Sequence, residues 1–161
     1  ERVDVDPQPD YSTRNYLSLS IYSDWLSEVI PLVEASNEIA QEYFKRPEGL
    51  EESGLEEWMD DGFIMSRYAP GDSLVLHVDG QNGEEPNNGL RVASLVFFLN
   101  DCEGGETNFP LQKKQVKPAQ GAAVIFPPGY THPHEVLEAK TPRYIVQTWL
   151  TDPNYKVVYR N

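Results

Sequence analysis

The sequence has few of the side chains that build disulfide frameworks or large metal clusters. Its 161 residues include one cysteine, Cys102, and three histidines. A single cysteine excludes an intramolecular disulfide and is typical of a reducing compartment, so we expect a cytoplasmic or other reducing intracellular location. Because there are only three histidines, a site that needs two imidazole ligands must use most of them.

Long apolar runs are also absent. No stretch is long enough to span a bilayer and no signal peptide stands out, so we expect no membrane partner. The sequence starts at Glu1, which leaves open whether a leader is removed before that residue. Its length is sufficient for one domain with its own hydrophobic core and too short for two comfortable ones.

Basic residues are outnumbered by acidic ones. The sequence has 13 Lys and Arg against 26 Asp and Glu, a net charge of −13. Residues 1–61 carry 16 acids and 4 bases, whereas residues 62–161 carry 10 acids and 9 bases. A nucleic-acid backbone requires a basic surface, so this distribution argues against a nucleic-acid partner. The acidity most simply favours solubility; preference for a basic or neutral substrate is a second interpretation.

Residues 1–61 have the pattern of a helical buttress in front of the rest of the chain. Residues 1–13 predict an extended or frayed lead-in. The apolar–polar alternation over residues 16–22 predicts a strand or the approach to a helix. Residues 51–61 predict a short acidic helix or turn.

The main helical signal lies between these two segments. Ser23 and Asp24 are good N-cap residues, and apolar side chains then recur at helical spacing as far as Phe44. Pro31 falls inside this pattern and predicts a break or a new first turn there. Pro47 predicts the stop.

From residue 62 onward the pattern changes to short β segments separated by turns. Short strands at this spacing predict a sandwich or barrel rather than a parallel α/β sheet. With helices only in front, the predicted fold class is mostly β (α+β). We expect a single domain, with a buttress over residues 1–61, a β core over 62–152 and a C-terminal tail over 153–161. About eight segments are predicted, the clearest at residues 63–68, 74–79, 92–99, 115–117, 122–126, 135–137 and 143–150.

Two side chains that could bind a metal lie at the end of the second β segment. His77 and Asp79 are two residues apart, so in a strand they point to the same face. With a second, distant imidazole they would form the 2-His-1-carboxylate set that holds Fe(II) and leaves coordination positions open. His-x-Asp alone is common, and a lone strand histidine is usually structural. His132 and His134 are the possible partners, and spacing alone does not choose between them.

A second cluster begins at Arg143 and ends at Trp149. A guanidinium flanked by apolar strand residues is costly unless an anion pairs with it. The carboxylate of a small cosubstrate would pair with it in bidentate fashion. The alternative is a structural salt bridge with Glu135 or Glu138, which we would prefer if the metal ligands were absent.

Several segments of the β half form a recognisable set: Tyr68-Ala-Pro-Gly, His77-Val-Asp79, Pro86-Asn-Asn-Gly, Val96-Phe-Phe-Leu-Asn100, Glu103-Gly-Gly-Glu-Thr-Asn-Phe-Pro110, and Pro133-His-Glu-Val136 followed by Arg143 and Trp149. Taken together, these motifs resemble the iron(II)/2-oxoglutarate-dependent dioxygenases, most closely their prolyl 4-hydroxylase and hypoxia-sensing prolyl hydroxylase branch. The resemblance covers the β half, and the helical front is only loosely similar.

The resemblance implies a double-stranded β-helix, a jelly-roll or cupin-like barrel. It implies Fe(II) as cofactor, 2-oxoglutarate and O2 as cosubstrates, and ascorbate as a further candidate. It selects His134 as the distal iron ligand beside His77 and Asp79. It also implies that Arg143 binds the far carboxylate of 2-oxoglutarate, with three more residues around the cosubstrate: Tyr68, Gln147 and Trp149.

A few positions differ from the oxygen-sensing enzymes. Phe98 stands where those enzymes have a tyrosine that hydrogen-bonds 2-oxoglutarate, and Gln147 replaces a threonine. Tyr68 lies one residue nearer to the His-x-Asp motif than the matching tyrosine. Asp79 is present, whereas relatives that halogenate lack this carboxylate, so the resemblance implies hydroxylation. Phe98, Phe126 and Trp149 are candidates for an apolar wall.

The leading hypothesis is a hydroxylase of a prolyl residue in a peptide or protein that converts 2-oxoglutarate to succinate. A hydroxylase of a free amino acid or other small molecule stays open, because loops such as residues 81–89 would set that choice. A hypothesis of another class is a non-catalytic, metal-binding cupin-type barrel. A nucleic-acid demethylase is disfavoured by the acidic front and by the absence of a second arginine six residues beyond Arg143. The oligomeric state is not indicated.

Overall fold

The computed structural model describes residues 15–19, 26–45, 57–80 and 90–154. These residues form one helix and ten strands. In chain order they are β1 (Asn15–Leu19), α1 (Leu26–Tyr43), β2 (Met59–Asp60), β3 (Phe63–Tyr68), β4 (Leu74–His77), β5 (Leu90–Phe98), β6 (Thr107–Phe109), β7 (Lys114–Val116), β8 (Ala123–Phe126), β9 (His134–Val136) and β10 (Arg143–Asp152).

The strands form two antiparallel sheets. The larger has six strands in the order β1-β3-β10-β5-β8, with β2 pairing to β10, and the smaller has the order β4-β9-β6-β7. The predicted mostly β, jelly-roll-like fold class is confirmed, and strands β3 to β10 supply the eight segments expected after residue 62. The predicted limits of the buttress, core and tail stay a prediction.

The long strand β10 separates two apolar layers because its side chains alternate between faces. On one face, Val146 packs with Phe63 and with Val29 of α1. Further along that face, Leu150 packs in a cluster with Ala40 of α1. The helix therefore covers the outside of the larger sheet, and the opposite face of β10 is left for the site.

The helix does not break at Pro31, so that expectation is wrong. Pro31 is the sixth residue of α1, and its ring is exposed to solvent. Its missing N–H deprives the Ser27 carbonyl of its i→i−4 partner, which costs the helix one hydrogen bond near its start. Complete burial of Val29 and Ala40 against the sheet holds the helix continuous across it.

The rest of the front half contains strands as well as this helix. Of the two alternatives for residues 16–22, the strand is found, since β1 pairs with β3 and extends the larger sheet. Met59 and Asp60 form β2 rather than the predicted helix or turn. The predicted N-caps, Ser23 and Asp24, lie outside the described residues, as do residues 51–56. Within the described part of the chain, no helix is long and apolar enough to cross a membrane.

Candidate metal and cosubstrate site

Pairing between two short strands brings the distant histidines together. His77 is the last residue of β4 and lies directly opposite His134, the first residue of β9. Their ring centroids are 4.3 Å apart. Asp79 follows just beyond the end of β4, and its carboxylate lies between the two imidazoles.

The three side chains present their ligand atoms to one point. His77 Nε2 lies 3.4 Å from Asp79 Oδ1, and His134 Nε2 lies 3.6 Å from Asp79 Oδ2. One ligand atom from each residue falls within 4.8 Å of the others. Two imidazoles and a carboxylate form a donor set that suits Fe(II), so this group could hold the metal.

Backbone carbonyls orient both imidazoles. His77 Nδ1 donates to the Val75 carbonyl at 2.7 Å, and His134 Nδ1 donates to the His132 carbonyl at 3.1 Å. Because a carbonyl only accepts, each ring carries a proton on Nδ1 and directs its Nε2 toward Asp79, so Nε2 is the atom available to a metal. Metal-binding histidines are commonly fixed in this way.

The structure brings His134, and not His132, into the three-residue group. His132 lies in a bend before Pro133, and its ring contacts Thr131 Oγ1 at 3.0 Å. The period-two argument fails at this point because β9 starts only at His134. His132 contributes its backbone carbonyl to the site through the bond to His134.

Burial and hydrogen bonding set the charge states of the group. Burial alone would raise the pKa of Asp79, but the hydrogen bond with His77, the positive charge that His134 carries when it is protonated at low pH, and the hydrogen bond from Ser94 lower that pKa to about 2. Burial lowers the pKa of His134, against the opposing pull of the Asp79 carboxylate. We infer an ionised Asp79 and a neutral His134 at neutral pH, the states that metal binding requires.

Arg143 lies at the start of β10, opposite Tyr68 of β3. Its side chain is 1% exposed, and the guanidinium carbon stands 4.7 Å from the centre of the Tyr68 ring. Its Nη2 donates to Thr107 Oγ1 at 3.3 Å. Of the two acids considered as its ion-pair partners, Glu135 accepts a hydrogen bond from Asn108 at 2.7 Å, and Glu138 is exposed.

Gly104 and Gly105, which belong to the Glu103–Pro110 segment of the resemblance, are both at positions where a side chain would clash. Gly105 has φ +64°, and a Cβ on it would lie 2.9 Å from Cδ of Arg143. Gly104 has φ +67°, and its Cβ would lie 2.3 Å from the carbonyl oxygen of Glu138. Such positive φ values favour glycine, and the close approach of Gly105 leaves room for the arginine stem.

One cavity of about 220 Å³ joins the metal-ligand group to Arg143. All seven side chains predicted for the site line it, including Gln147 and Trp149, which share the cavity face of β10 with Arg143. Phe126 lines the wall as expected, whereas Phe98 packs in the buried cluster that contains Tyr68 and Ile145.

Three further polar residues line this cavity and were not predicted from the sequence: Arg91, Ser94 and Thr107. Ser94 Oγ donates to Asp79 Oδ2 at 2.7 Å although the serine stands fifteen residues away. A serine or arginine in an apolar strand gives no signal of its own. Only the pairing of β5 with its neighbours reveals which side chains face the site.

Comparisons with known proteins agree with this geometry. A family model described as the 2OG-Fe(II) oxygenase superfamily matches residues 63–151, more than half of the chain. No curated protein sequence matched the chain. Similar solved structures were found, and the three described next are all below 25% identity, so that their likeness concerns the fold.

Three of these structures are prolyl hydroxylases by name. A viral collagen prolyl hydroxylase from Paramecium bursaria Chlorella virus-1, in complex with 2OG, is 22% identical with a TM-score of 0.67, covering 89% of this chain and 81% of that one. A Pseudomonas putida prolyl-4-hydroxylase is 20% identical with a TM-score of 0.64, covering 91% and 76%.

The third is a Trichoplax adhaerens prolyl hydroxylase in complex with a hypoxia inducible factor peptide fragment. It is 17% identical with a TM-score of 0.64, covering 86% of this chain and 63% of that one. The family match accounts for the two-sheet fold and for a donor set that suits iron. The chain belongs to the 2OG-Fe(II) oxygenase superfamily and is a dioxygenase that uses Fe(II), 2-oxoglutarate and O2.

Proposed function

We propose that this dioxygenase hydroxylates a C–H bond of a prolyl residue in a peptide or protein, with decarboxylation of 2-oxoglutarate to succinate. The observation that carries the proposal is one cavity that contains both the His77–Asp79–His134 group and the Arg143 guanidinium. The named activity of the structurally similar proteins supports the prolyl target.

In this proposal His77, Asp79 and His134 hold the iron. Their donor set fits it, because Nδ1 of each ring is engaged by a backbone carbonyl, which leaves Nε2 for the metal, and the carboxylate is ionised. When bound, Fe(II) with 2-oxoglutarate supplies the activation of O2 on which C–H hydroxylation depends. The protein contributes the ligand geometry, which Ser94 supports by holding Asp79 Oδ2.

Arg143 is proposed to bind the far carboxylate of 2-oxoglutarate. A buried guanidinium in a fixed position offers two parallel donors, which match a carboxylate. Stacking against Tyr68 and the bond to Thr107 hold its plane in place before any ligand arrives. Gln147 and Trp149 are proposed to contact the same cosubstrate from the neighbouring positions of β10. Ascorbate remains a prediction.

The size of the cavity favours a residue within a chain over a large free molecule. About 220 Å³ is below the roughly 300–1,000 Å³ of typical small-molecule sites. The apolar side chains of Phe126 and Val136 in the wall help to exclude water from the reacting carbon.

The proposal is tested by incubating the iron-loaded protein with 2-oxoglutarate and a panel of proline-containing peptides, free proline and other amino acids. Mass gain of one oxygen atom on a peptide, matched by succinate release, is the expected result. His134→Ala is the inactive control. Oxidation of free amino acids alone would move the assignment to a small-molecule hydroxylase. Metal binding without 2-oxoglutarate turnover in any condition would favour the cupin-type barrel.

A further inference from the structure

The Asp79 carboxylate is the one member of the three-residue group that does not stand on a strand. β4 ends at His77, so the hydrogen bonds between β4 and β9 do not hold the main chain at residue 79. Gly80 N donates to the Pro128 carbonyl at 2.7 Å, which ties down the following residue. Within the described residues, a side chain supplies a further restraint on the Asp79 main chain.

That side chain belongs to Arg91. Its Nη1 donates to the backbone carbonyl of Asp79 at 3.0 Å, and its Nη2 donates to Asp61 Oδ2 at 3.1 Å. The guanidinium carbon lies 3.8 Å from the centre of the Trp149 ring, a cation–π contact. One planar group thus meets a carbonyl, a carboxylate and an aromatic face.

A β-bulge directs Arg91 to this position. β5 pairs with β10 so that Ala93 faces Leu150 and Arg91 faces Thr151, which leaves Val92 as an extra residue. In regular alternation, Val92 rather than Arg91 would share a face with Ser94. Bulges re-aim side chains, and here the shift puts Val92 in the apolar cluster beneath α1 and Arg91 on the cavity side.

The same contacts fix the arginine itself. Asp61 N donates to the Trp149 carbonyl at 2.9 Å, so the carboxylate that holds Arg91 is anchored to the strand that supplies the aromatic face. Asp61 and Arg91 are each only 23% exposed in their side chains. The geometry uses both ends of the guanidinium fork, which a lysine with its single ammonium group cannot reproduce.

We infer that Arg91, held by Asp61 and Trp149, is a positioning residue that fixes the main chain of Asp79 and thereby aims its carboxylate at the metal. The inference rests on the metal site of the proposed function. It adds a role for three residues, Asp61, Arg91 and the face of Trp149, beyond the metal ligands themselves. Ser94 restrains the carboxylate from the other end.

The test is anaerobic titration of the full chain with Fe(II), and with Co(II) as a spectroscopic substitute, in wild type, Arg91→Gln, Arg91→Lys and Asp61→Asn. Loss of a residue that orients a metal ligand typically weakens metal affinity about 10–100-fold. We expect a loss in this range for Arg91→Gln, partial rescue by Arg91→Lys and a smaller loss for Asp61→Asn. Arg67→Gln, which removes an exposed arginine from β3, is the matched control and should bind as wild type does.

Amide hydrogen exchange of the metal-free protein gives a second readout. Arg91→Gln should speed exchange at Asp79 and Gly80 while the amides of β10 stay protected. Equal metal affinity and equal exchange in wild type and Arg91→Gln would overturn the inference. If Arg91→Gln does not fold, the same two measurements on Asp61→Asn test the inference in its place. Failure of the wild type itself to bind either metal would instead overturn the proposed metal site.

Discussion

The two histidines near the start of β9 differ in which atom each gives to the site. His134 contributes its ring nitrogen, whereas His132 contributes the carbonyl that orients that ring. Only Pro133 separates the two histidines. They differ because β9 begins at His134, which leaves His132 outside the strand. A substitution that removes the ring therefore affects the two positions very differently.

We predict that His134→Ala abolishes iron binding and that His132→Ala preserves it. Loss of a direct ligand should exceed the roughly 100-fold weakening expected at most from an orienting residue. Alanine at position 132 keeps the carbonyl that accepts from His134 Nδ1. Isothermal or spectroscopic titration with Fe(II) under anaerobic conditions measures both. The opposite pattern would identify His132 as the ligand.

We also predict a pH dependence of stability in the metal-free protein. Burial lowers the pKa of His134 from its ordinary value of 6.5, so below that pH the unfolded chain binds the proton more readily than the folded one. Stability then falls as pH drops below about 6.5. His134→Gln should reduce this loss, as measured by urea unfolding between pH 8 and pH 5. An unchanged slope would mean that His134 is not buried in its neutral form.

The lowered pKa of Asp79 acts further down the same scale. A carboxyl whose pKa falls from 3.8 to about 2 stabilises the fold above pH 3.8, and this contribution is lost as pH falls toward 2. The two effects have the same sign. They occupy separate pH windows, so continuing the urea-unfolding series from pH 5 down to pH 2 distinguishes them.

At the scale of elements, the Gly104–Gly105 turn and strand β10 fit together. The turn passes so close to the stem of Arg143 that a methyl group at Gly105 has no room. Because Arg143 faces the cavity beyond this contact, a steric change in the turn should reach the cosubstrate end of the site.

We predict that Gly105→Ala weakens 2-oxoglutarate binding while iron binding persists. The substitution strains a residue at φ +64°, on the order of 1–2 kcal/mol, and displaces Arg143. Gly121→Ala is the matched control, since it has φ +79° with nothing within 4 Å of its added Cβ. Titration of the iron-loaded variants with 2-oxoglutarate compares them. Equal weakening in both would attribute the effect to backbone strain alone.

The elements also show what the sequence could predict. The alternation of apolar and polar residues predicted most strands of the β half, and the spacing of His77 and Asp79 predicted that both side chains share one face. Arg91 and Ser94 could not be found in the same way, because their roles depend on strand pairing and on a bulge at Val92. Continuity of α1 through Pro31 depended on burial of its neighbours, which local propensity does not record.

At the scale of the whole molecule, the site is built from both sheets. The smaller sheet supplies His77 and His134, and the larger supplies Ser94 and the cavity face of β10 with Arg143. A shift of one sheet against the other would separate the metal ligands from the guanidinium. The helix α1 stabilises the outer face of the larger sheet and does not line the cavity.

We propose that the metal ligands and Arg143 together form one site for iron and 2-oxoglutarate. Anaerobic addition of Fe(II) and 2-oxoglutarate should produce a metal-to-ligand charge-transfer band in the visible spectrum, the signal that would report 2-oxoglutarate bound to iron held by these residues. Arg143→Ala should require more 2-oxoglutarate to reach the same band with iron still bound, and His134→Ala should show no band. A wild-type protein that binds both components separately yet gives no band would contradict the claim.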